Sequence, residues 1–203
     1  MARNLGPKHK KCRRYGVKLC DSPKCPVVAR NYPPGMHGAK GRGKLTGYGE
    51  QLAQKQMAKE VYGVFEKQFK KYYEKAMRQK GDVGENLLQQ LEMRLDNIVY
   101  RLGFAVSRRQ ARQMTGHGLF LVNDRRVDIP SYQVKIGDSV KLKEQVKKSR
   151  LFENIEEKIK QQEMPSWLSL DENSLTGKVL DKPKLDEISS VFDVKTIIEF
   201  YSK

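Results

Sequence analysis

The sequence predicts an α+β fold, in which a helical domain carries a small inserted module and a basic N-terminal arm. The first 45 residues are rich in Gly, Pro, Lys and Arg and show little hydrophobic periodicity. Apolar residues then recur with helical spacing as far as Leu102, and after Gly116 short β-rich segments replace that pattern. We therefore expect an arm over 1–45, a helical domain over 46–91 that is completed by 148–203, and an inserted module over 92–147.

The arm lacks the apolar residues needed to order itself. Its stretch NYPPGMHGAKGRGK (31–44) has no pattern that could bury a face, so burial cannot offset the entropy of ordering. We expect this segment to gain structure from a metal ion, from a nucleic acid, or from both.

Two helices are expected at the start of the helical domain. The first begins at Thr46, has a thin apolar stripe along one side and ends near Gly63. The second has apolar residues at i, i+3, i+4 and i+7 and stops at Gly81. Its buried face is predicted to consist of Phe69, Tyr72, Tyr73 and Ala76. The same periodicity continues from Leu87 to Leu102 as one further run, which Gly103 ends.

The inserted module is predicted to be of an ααβ type. Ser107 is a candidate N-cap for a helix over 108–114. Short strands separated by turn residues are predicted at 119–123, 125–129, 132–135 and 139–143. Beyond the module, one more helix that Pro165 closes is indicated by Leu151, Phe152, Ile155 and Ile159.

The chain carries a large positive charge, which indicates a polyanionic partner. Lys and Arg number 40 against 24 acidic residues, giving a formal charge of +16. A nucleic acid is the first candidate and an anionic membrane surface the second. No apolar run approaches the ~20 residues of a membrane span, so no membrane partner is expected. The absence of a cleavable hydrophobic region after Met1 predicts a cytoplasmic protein, in which a structural disulfide is not expected.

The charge is distributed unevenly. Residues 1–45 carry 12 basic and 1 acidic side chains, a net of +11, whereas residues 151–203 carry 7 basic and 11 acidic ones, a net of −4. One end is therefore suited to a polyanion. The acidic end either packs on this chain or a protein partner, or forms a solvated face.

All three cysteines lie in the arm, with the spacing H-x2-C-x7-C-x4-C formed by His9, Cys12, Cys20 and Cys25. Four nitrogen and sulfur ligands suit a closed, structural Zn²⁺ site. The surrounding Lys and Arg residues favour the thiolate forms that the ion needs. His37 is an alternative fourth ligand, and three free thiols beside an unrelated histidine are the other possibility.

Arginines cluster in the module. Arg108, Arg109 and Arg112 share one helix face, and Arg125 and Arg126 follow the Asn123-Asp124 turn. Guanidinium groups suit phosphate pairs and can stack on exposed bases. The module is therefore predicted to bind a nucleic acid through the shape of its backbone.

No catalytic constellation is found. GAKGRGKL (38–45) fits the phosphate-loop spacing but has Leu45 where Ser or Thr would bind Mg²⁺, and no strand precedes it. We therefore expect neither an enzyme nor a small-molecule substrate. The alternatives are an RNA-modifying enzyme built on the same module and a zinc-dependent DNA-binding regulator.

Several segments together resemble one family. RLDNIVYRLGFAVSRRQARQMTGHG (94–118), VNDRRVDIPSYQVKIGD (122–138), PPGMHG (33–38), PSWLSLD (165–171) and IIEFYSK (197–203) are similar to segments of bacterial-type small-ribosomal-subunit protein four. The resemblance extends over nearly the whole chain. It implies a structural constituent of the small ribosomal subunit that binds ribosomal RNA at a multi-helix junction of the 5′ domain, early in assembly. It also implies contacts with ribosomal protein five of the small subunit and with mRNA in the channel through which mRNA enters.

The resemblance also bears on the metal ligands. Some members of the family carry a zinc site of four cysteines in this arm, and His9 stands where the first of them would be. Because imidazole also binds zinc, the set of His9 with the three cysteines stays complete. PPGMHG also occurs in members without zinc, which argues against His37 as a ligand. We expect RNA contacts from Arg3, Lys10, Arg13, Arg14, His37, Lys40, Arg42, Lys44, Arg108, Arg109, Arg112, Arg125 and Arg126, with Lys40, Arg42 and Lys44 assigned to mRNA.

Overall fold

The computed structural model confirms the α+β fold and divides the chain into two compact units. Unit 1 comprises residues 1–84 and 189–203, and unit 2 comprises residues 85–188. The structure describes residues 6–147, 149, 152, 159, 164–171, 174–188 and 191–202. In this part of the chain no helix combines the length and the apolarity needed to cross a membrane.

Unit 1 is helical. Its elements are α1 (Lys8–Tyr15), α2 (Gly47–Tyr62), α3 (Glu66–Met77) and a C-terminal helix, here α8 (Val194–Ser202), which packs on α2. The predicted boundaries of α2 are confirmed. The hydroxyl of Thr46 accepts a hydrogen bond from the backbone N–H of Gly49 at 3.2 Å, and Gly63 ends the helix in the left-handed conformation.

The predicted buried face of α3 is also confirmed, since Phe69, Tyr72, Tyr73 and Ala76 are all buried. The ring of Tyr73 stacks on Tyr201 of α8 with centroids 4.5 Å apart. The helix ends at Met77, before the predicted stop at Gly81.

A charged network connects α2, α3 and α8 of unit 1. The carboxylate of Glu66 accepts from Lys55 at 3.0 Å, from Lys59 at 2.8 Å and from the Tyr201 hydroxyl at 2.9 Å. The ammonium of the buried Lys55 also lies 4.1 Å from the ring centroid of Phe200. Burial and the neighbouring Glu66 raise the pKa of Tyr201, so its hydroxyl remains a donor.

Unit 2 contains α4 (Val83–Glu92, which begins at its boundary), α5 (Leu95–Arg101), α6 (Arg108–Gly116) and the short α7 (Glu144–Lys147). Its strands are β1 (Phe120–Val122), β2 (Arg125–Arg126), β3 (Ser139–Leu142), β4 (Leu168–Asp171) and β5 (Thr176–Val179). They form one antiparallel sheet in the order β2-β1-β3-β5-β4.

The core of unit 2 lies between this sheet and α5 and α6. Phe120 and Val122 alternate with half-buried Leu121, as a strand with one buried face requires. Leu102 packs so closely on β5 that a Cβ at Gly177 would lie 2.4 Å from its Cδ1, so only glycine fits there. The N-cap predicted at Ser107 is confirmed, since its hydroxyl accepts from the N–H of Gln110.

The structure differs from the sequence-based expectations in the helix between Leu87 and Leu102. The expected single run is broken between α4 and α5, where Arg94 has an extended backbone and forms an isolated β-bridge with Gln133. The predicted strand over 132–135 is reduced to that bridge, because Gln133 pairs with a helix junction and not with a neighbouring strand.

The division of the chain also differs from the expected one. Residues 164–188 lie in unit 2 and not with the helical domain, because β5 pairs with β3 and β4 pairs with β5. The helix expected around 151–159 lies largely outside the described residues. Its Phe152 and Ile159 are described, and both are buried in the core of unit 2.

Candidate nucleic-acid interface and metal centre

The four predicted metal ligands come together in the structure. His9 and Cys12 are three residues apart on one face of α1, while Cys20 and Cys25 come from the loop that follows. Their ligand atoms all lie within 4.8 Å of one another. A tetrahedral ion with Zn–S bonds of about 2.3 Å separates its ligands by roughly 3.8 Å, so a small inward movement would close the shell.

The local fold around the cluster follows from the end of α1. Gly16 takes the left-handed conformation at φ 74°, and its N–H donates to the carbonyl of Cys12 at 2.8 Å. The chain therefore turns back over α1 and brings Cys20 to 3.6 Å from Nδ1 of His9. Cys12 and Cys25 are buried together with Val27, and all three cysteines are free thiols.

The pKa values of two cysteines in the cluster are shifted in opposite directions. Burial raises the pKa of the Cys12 thiol to about 12; the backbone N–H of Leu19 opposes this shift, and the neighbouring Cys20 and Cys25 add to it. Burial also acts to raise the pKa of Cys25. There the N–H of Val27 and the neighbouring thiols outweigh it, so the pKa of Cys25 is lowered. A set of three thiols and one imidazole, with Cys12 and Cys25 buried and His9 and Cys20 half-buried, fits a divalent cation that prefers soft ligands, which would hold all three sulfurs as thiolates.

Two of the predicted RNA-contact arginines are directed into the arm. Arg13 donates to the backbone carbonyls of Tyr32 and Pro33, each at 3.2 Å, and its guanidinium lies 4.7 Å from the ring centroid of Tyr32. Arg42 donates to the carbonyls of Arg13 and Arg14 and to the side chain of Asn31. These contacts hold the loop of residues 31–42 against α1.

The remaining predicted contacts of the arm face solvent. The exposed side chains are Lys10, Arg14, His37, Lys40 and Lys44, while Arg3 lies outside the described residues. Their role in binding RNA stays a prediction.

A buried ion-pair network supports the arginine face of α6. Arg94 is 1% exposed and forms a bidentate pair with Asp96, at 3.0 and 2.6 Å. The second oxygen of Asp96 also accepts from Arg112 at 3.1 Å. Arg112 is therefore fixed in position by a carboxylate of the protein itself.

A second chain of contacts starts at the fully buried Glu92. Its carboxylate accepts two hydrogen bonds from Arg101, at 2.9 and 3.0 Å, and one from the side chain of Asn97 at 2.7 Å. The amide oxygen of Asn97 in turn accepts from Arg108 at 2.9 Å, and the guanidinium of Arg108 lies 4.5 Å from the ring centroid of Tyr100. Neither Arg108 nor Arg112 is a freely rotating surface side chain.

Arg109 is exposed beside these two fixed arginines. The two-residue strand β2 presents the exposed Arg125 and Arg126 after the Asn123-Asp124 turn. The surface of unit 2 thus combines preorganised and solvent-facing guanidinium groups, an arrangement suited to phosphate oxygens.

The supporting residues Glu92, Asp96 and Asn97 were not found by sequence reasoning. A possible signal was the equal number of acidic and basic side chains within the largely apolar segment LEMRLDNIVYR (91–101). Helical periodicity does not mark these polar residues as buried, yet all three lie in the interior, on either side of the break at Arg94.

Two family profiles match consecutive parts of the chain. Residues 3–92 match the "Ribosomal protein S4/S9 N-terminal domain" and residues 93–140 match the "S4 domain". Similar proteins include the "Small ribosomal subunit protein uS4" of Acidobacterium capsulatum, at 47% identity over 209 residues, and of Fervidobacterium nodosum, at 49% over 213 residues. The protein of the same description from Thermotoga petrophila is 47% identical over 210 residues. Each of these alignments covers all of both chains.

Proposed function

Because this chain belongs to the uS4 family of small ribosomal subunit proteins, we propose that it binds small-subunit ribosomal RNA directly. Its role is structural and not enzymatic, and its place is the small ribosomal subunit in the cytoplasm. The proposed site of binding is a multi-helix junction of the 5′ domain, where binding early in assembly would fix an RNA fold.

The observation that supports this proposal most strongly is the arginine face of unit 2. Arg108 and Arg112 are held by Asn97 and Asp96, beside the exposed Arg109. Preorganised guanidinium groups lose little side-chain freedom when they bind phosphates. Contacts of this kind release counterions and recognise backbone shape in preference to base sequence.

Binding to a transcript of the 5′ domain at several salt concentrations tests the proposal. We expect the chain to prefer this transcript to duplex DNA of equal length at the same salt. Replacing Arg109, Arg125 and Arg126 by Gln should reduce the slope of log K against log salt by roughly 2–3. Equal affinity for duplex DNA would support a DNA-binding regulator instead, and base-modifying activity would support an enzyme.

The arm is proposed to carry one structural Zn²⁺, held by His9, Cys12, Cys20 and Cys25. Support comes from the convergence of the four ligand atoms and from the burial of Cys12 and Cys25. Metal content of protein purified without chelator should be one zinc per chain. His9→Ala should weaken or abolish zinc binding, while His117→Ala, at an exposed histidine of unit 2, should retain it. A metal-free unaltered chain would overturn this assignment.

Lys40, Arg42 and Lys44 are proposed to lie near mRNA in the channel through which mRNA enters the small subunit. The exposure of Lys40 and Lys44 in a glycine-separated loop supports a contact with a mobile strand. Replacing all three residues should slow the unwinding of structured mRNA by reconstituted ribosomes. Unchanged unwinding would remove this role.

A contact with ribosomal protein five of the small subunit is proposed for the acidic end of the chain. The exposed apolar Leu180 and Leu185 lie there beside the acidic Asp181, Asp186 and Glu187. Exposed apolar residues with acidic neighbours in the sequence are compatible with a basic protein partner. Co-sedimentation of the two proteins should weaken in the double variant Leu180→Ser, Leu185→Ser, and retention of full binding would place the contact elsewhere.

A further inference from the structure

α3 presents a row of cations on the side opposite its buried aromatic face. The row consists of Lys67, Lys71 and Lys75 of α3 and of Arg78, the C-cap residue that follows it, at intervals of four, four and three residues. All four side chains are exposed. None of them belongs to the arm, to α6 or to β2.

The direction of the row is fixed by packing. At 3.6 residues per turn, the four positions fall within an arc of about 80°, and a step of four residues advances about 6 Å along the axis. Phe69, Tyr72, Tyr73 and Ala76 are buried on the other side, so the helix cannot rotate about its axis. The result is a straight ladder of positive charges with a fixed spacing.

Among the described residues, the ladder has no anionic counterpart. Within the described part of the chain, none of its four side chains forms a hydrogen bond or an ion pair. The acidic residue on the exposed side of α3, Glu74, lies beside the row, and its ion pair, at 4.0 Å, is with Lys70, which does not belong to the row. Glu66, in the first turn, is directed toward Lys55 and Lys59 of α2.

Helix stability does not account for this arrangement. Lys67 with Lys71, and Lys71 with Lys75, are like-charged i,i+4 pairs, which destabilise a helix. Lys67 also lies in the first turn, where a cation opposes the helix dipole. Cations at these positions are better explained by a polyanion that lies along the helix.

We propose that the α3 ladder is an additional binding surface for the sugar-phosphate backbone of RNA. The inference rests on the proposed function, because it takes small-subunit ribosomal RNA as the polyanion. Lysines approach phosphates as point charges and read no sequence, so the surface adds affinity and fixes orientation without selecting bases.

A charge-matched pair of variants tests the ladder. The first replaces Lys67, Lys71, Lys75 and Arg78 by Gln, which has a helix propensity close to that of Lys and Arg. The control variant replaces the exposed Lys178, Lys182, Lys184 and Lys195 by Gln and loses the same four charges. Circular dichroism and thermal melting establish that both variants fold.

The measurement is the affinity for a 5′-domain transcript as a function of salt. The ladder variant should lose roughly 3–4 from the slope of log K against log salt, and at least roughly tenfold in affinity at physiological salt. The control variant should lose less than a third of that slope. Equal losses of affinity and slope in the two variants would mean that only net charge matters. That result would overturn the proposal that the ladder is a binding surface.

Lysine acetylation of the complex gives an independent readout on the unaltered protein. Bound RNA should protect Lys67, Lys71 and Lys75 from the reagent and leave Lys178, Lys182 and Lys184 reactive. Unprotected ladder lysines in a complex that forms normally would overturn the ladder but not the proposed function. Failure of the unaltered chain to bind the transcript would overturn both.

Discussion

Arg42 donates a hydrogen bond from Nη2 to the main-chain carbonyl oxygen of Arg13 at 3.0 Å, although 29 residues separate the two in the sequence. A second bond from its Nε reaches the carbonyl of Arg14 at 3.3 Å. These carbonyls belong to the last turn of α1, whose acceptors have no partner within the helix. A guanidinium group at this end also interacts favourably with the helix dipole. Arg42 therefore acts as a C-cap supplied by a distant loop.

Replacing Arg42 by Met should detach this loop from α1. Because the bonds are exposed, we expect a loss of roughly 1 kcal/mol of attachment, which is about a fivefold increase in the population of the open loop. Limited proteolysis within residues 31–45 should accelerate by the same factor. Arg42→Lys should restore little of the loop's attachment, because an ammonium group lacks the planar arrangement of N–H donors of a guanidinium group. Lys40→Met, two residues away, should leave the cleavage rate unchanged, and similar rates in all variants would contradict the capping role.

Asp96→Asn should destabilise unit 2 strongly. The substitution leaves the guanidinium of Arg94, 1% exposed, without its counter-ion and removes the partner of Arg112. Breaking a buried pair in this way costs about 3–5 kcal/mol. Urea unfolding measures the loss, and Asp128→Asn at an exposed position should change stability by no more than about 0.5 kcal/mol. A small effect of Asp96→Asn would mean that water reaches Arg94.

Glu66 should make the stability of unit 1 depend on pH in the acid range. Burial acts to raise the pKa of Glu66, but Lys59, Lys55 and Tyr201 outweigh it and lower the pKa to about 2. In this range the unfolded chain binds more protons, so stability is fully present above pH 4.5 and is lost as the pH falls toward 2.

The Glu66→Gln variant tests that dependence. It should have a shallower loss of stability between pH 4.5 and 2 and a loss of about 1 kcal/mol at neutral pH, a modest figure because the side chain is 46% exposed. Thermal melting over this pH series, with Glu50→Gln as the control, measures both. If Glu66→Gln lost stability between pH 4.5 and 2 as steeply as the unaltered chain, the pH dependence of stability would be due to other carboxylates.

The two central residues of the β1–β2 turn should respond oppositely to glycine. Asn123 and Asp124 both have positive φ, at 47° and 60°. Asp124→Gly should relieve left-handed strain and stabilise unit 2 by about 0.5–1 kcal/mol, as the favoured Asn-Gly turn would. Asn123→Gly should destabilise unit 2, because the Asn123 side chain accepts from the N–H of Ser139 and donates to Asp138. Equal signs for the two substitutions in urea unfolding would contradict this reading.

The elements that the sequence predicts correctly are those whose signals are local. Thr46 and Gly63 bound α2 through bonds within a few residues, and the aromatic face of α3 follows from helical spacing alone. The break at Arg94 depends on Gln133, which is 39 positions away, and on the ion pair with Asp96. No periodic pattern contains such information, so α4 and α5 were expected as one helix.

The candidate sites divide in the same way. Spacing sufficed for His9 and the cysteines, since ligands of one ion have to converge. It did not distinguish arginines that face solvent from arginines that bind the protein's own backbone. Arg13 and Arg42 belong to the second kind, because carbonyls of residues 32–33 and 13–14 lie within their reach.

The pairing of α2 with α8 sets an order of events during biosynthesis. The apolar side of α2 and the aromatic face of α3 emerge from a translating ribosome long before α8, which packs on them, has been made. At ordinary elongation rates the intervening residues take roughly ten seconds. Unit 2, which is contiguous in the sequence, can fold within that interval. During the same time α2 and α3 remain without α8. Newly made chains that stall before Val194 should therefore be substrates for chaperones that bind exposed aromatic surface.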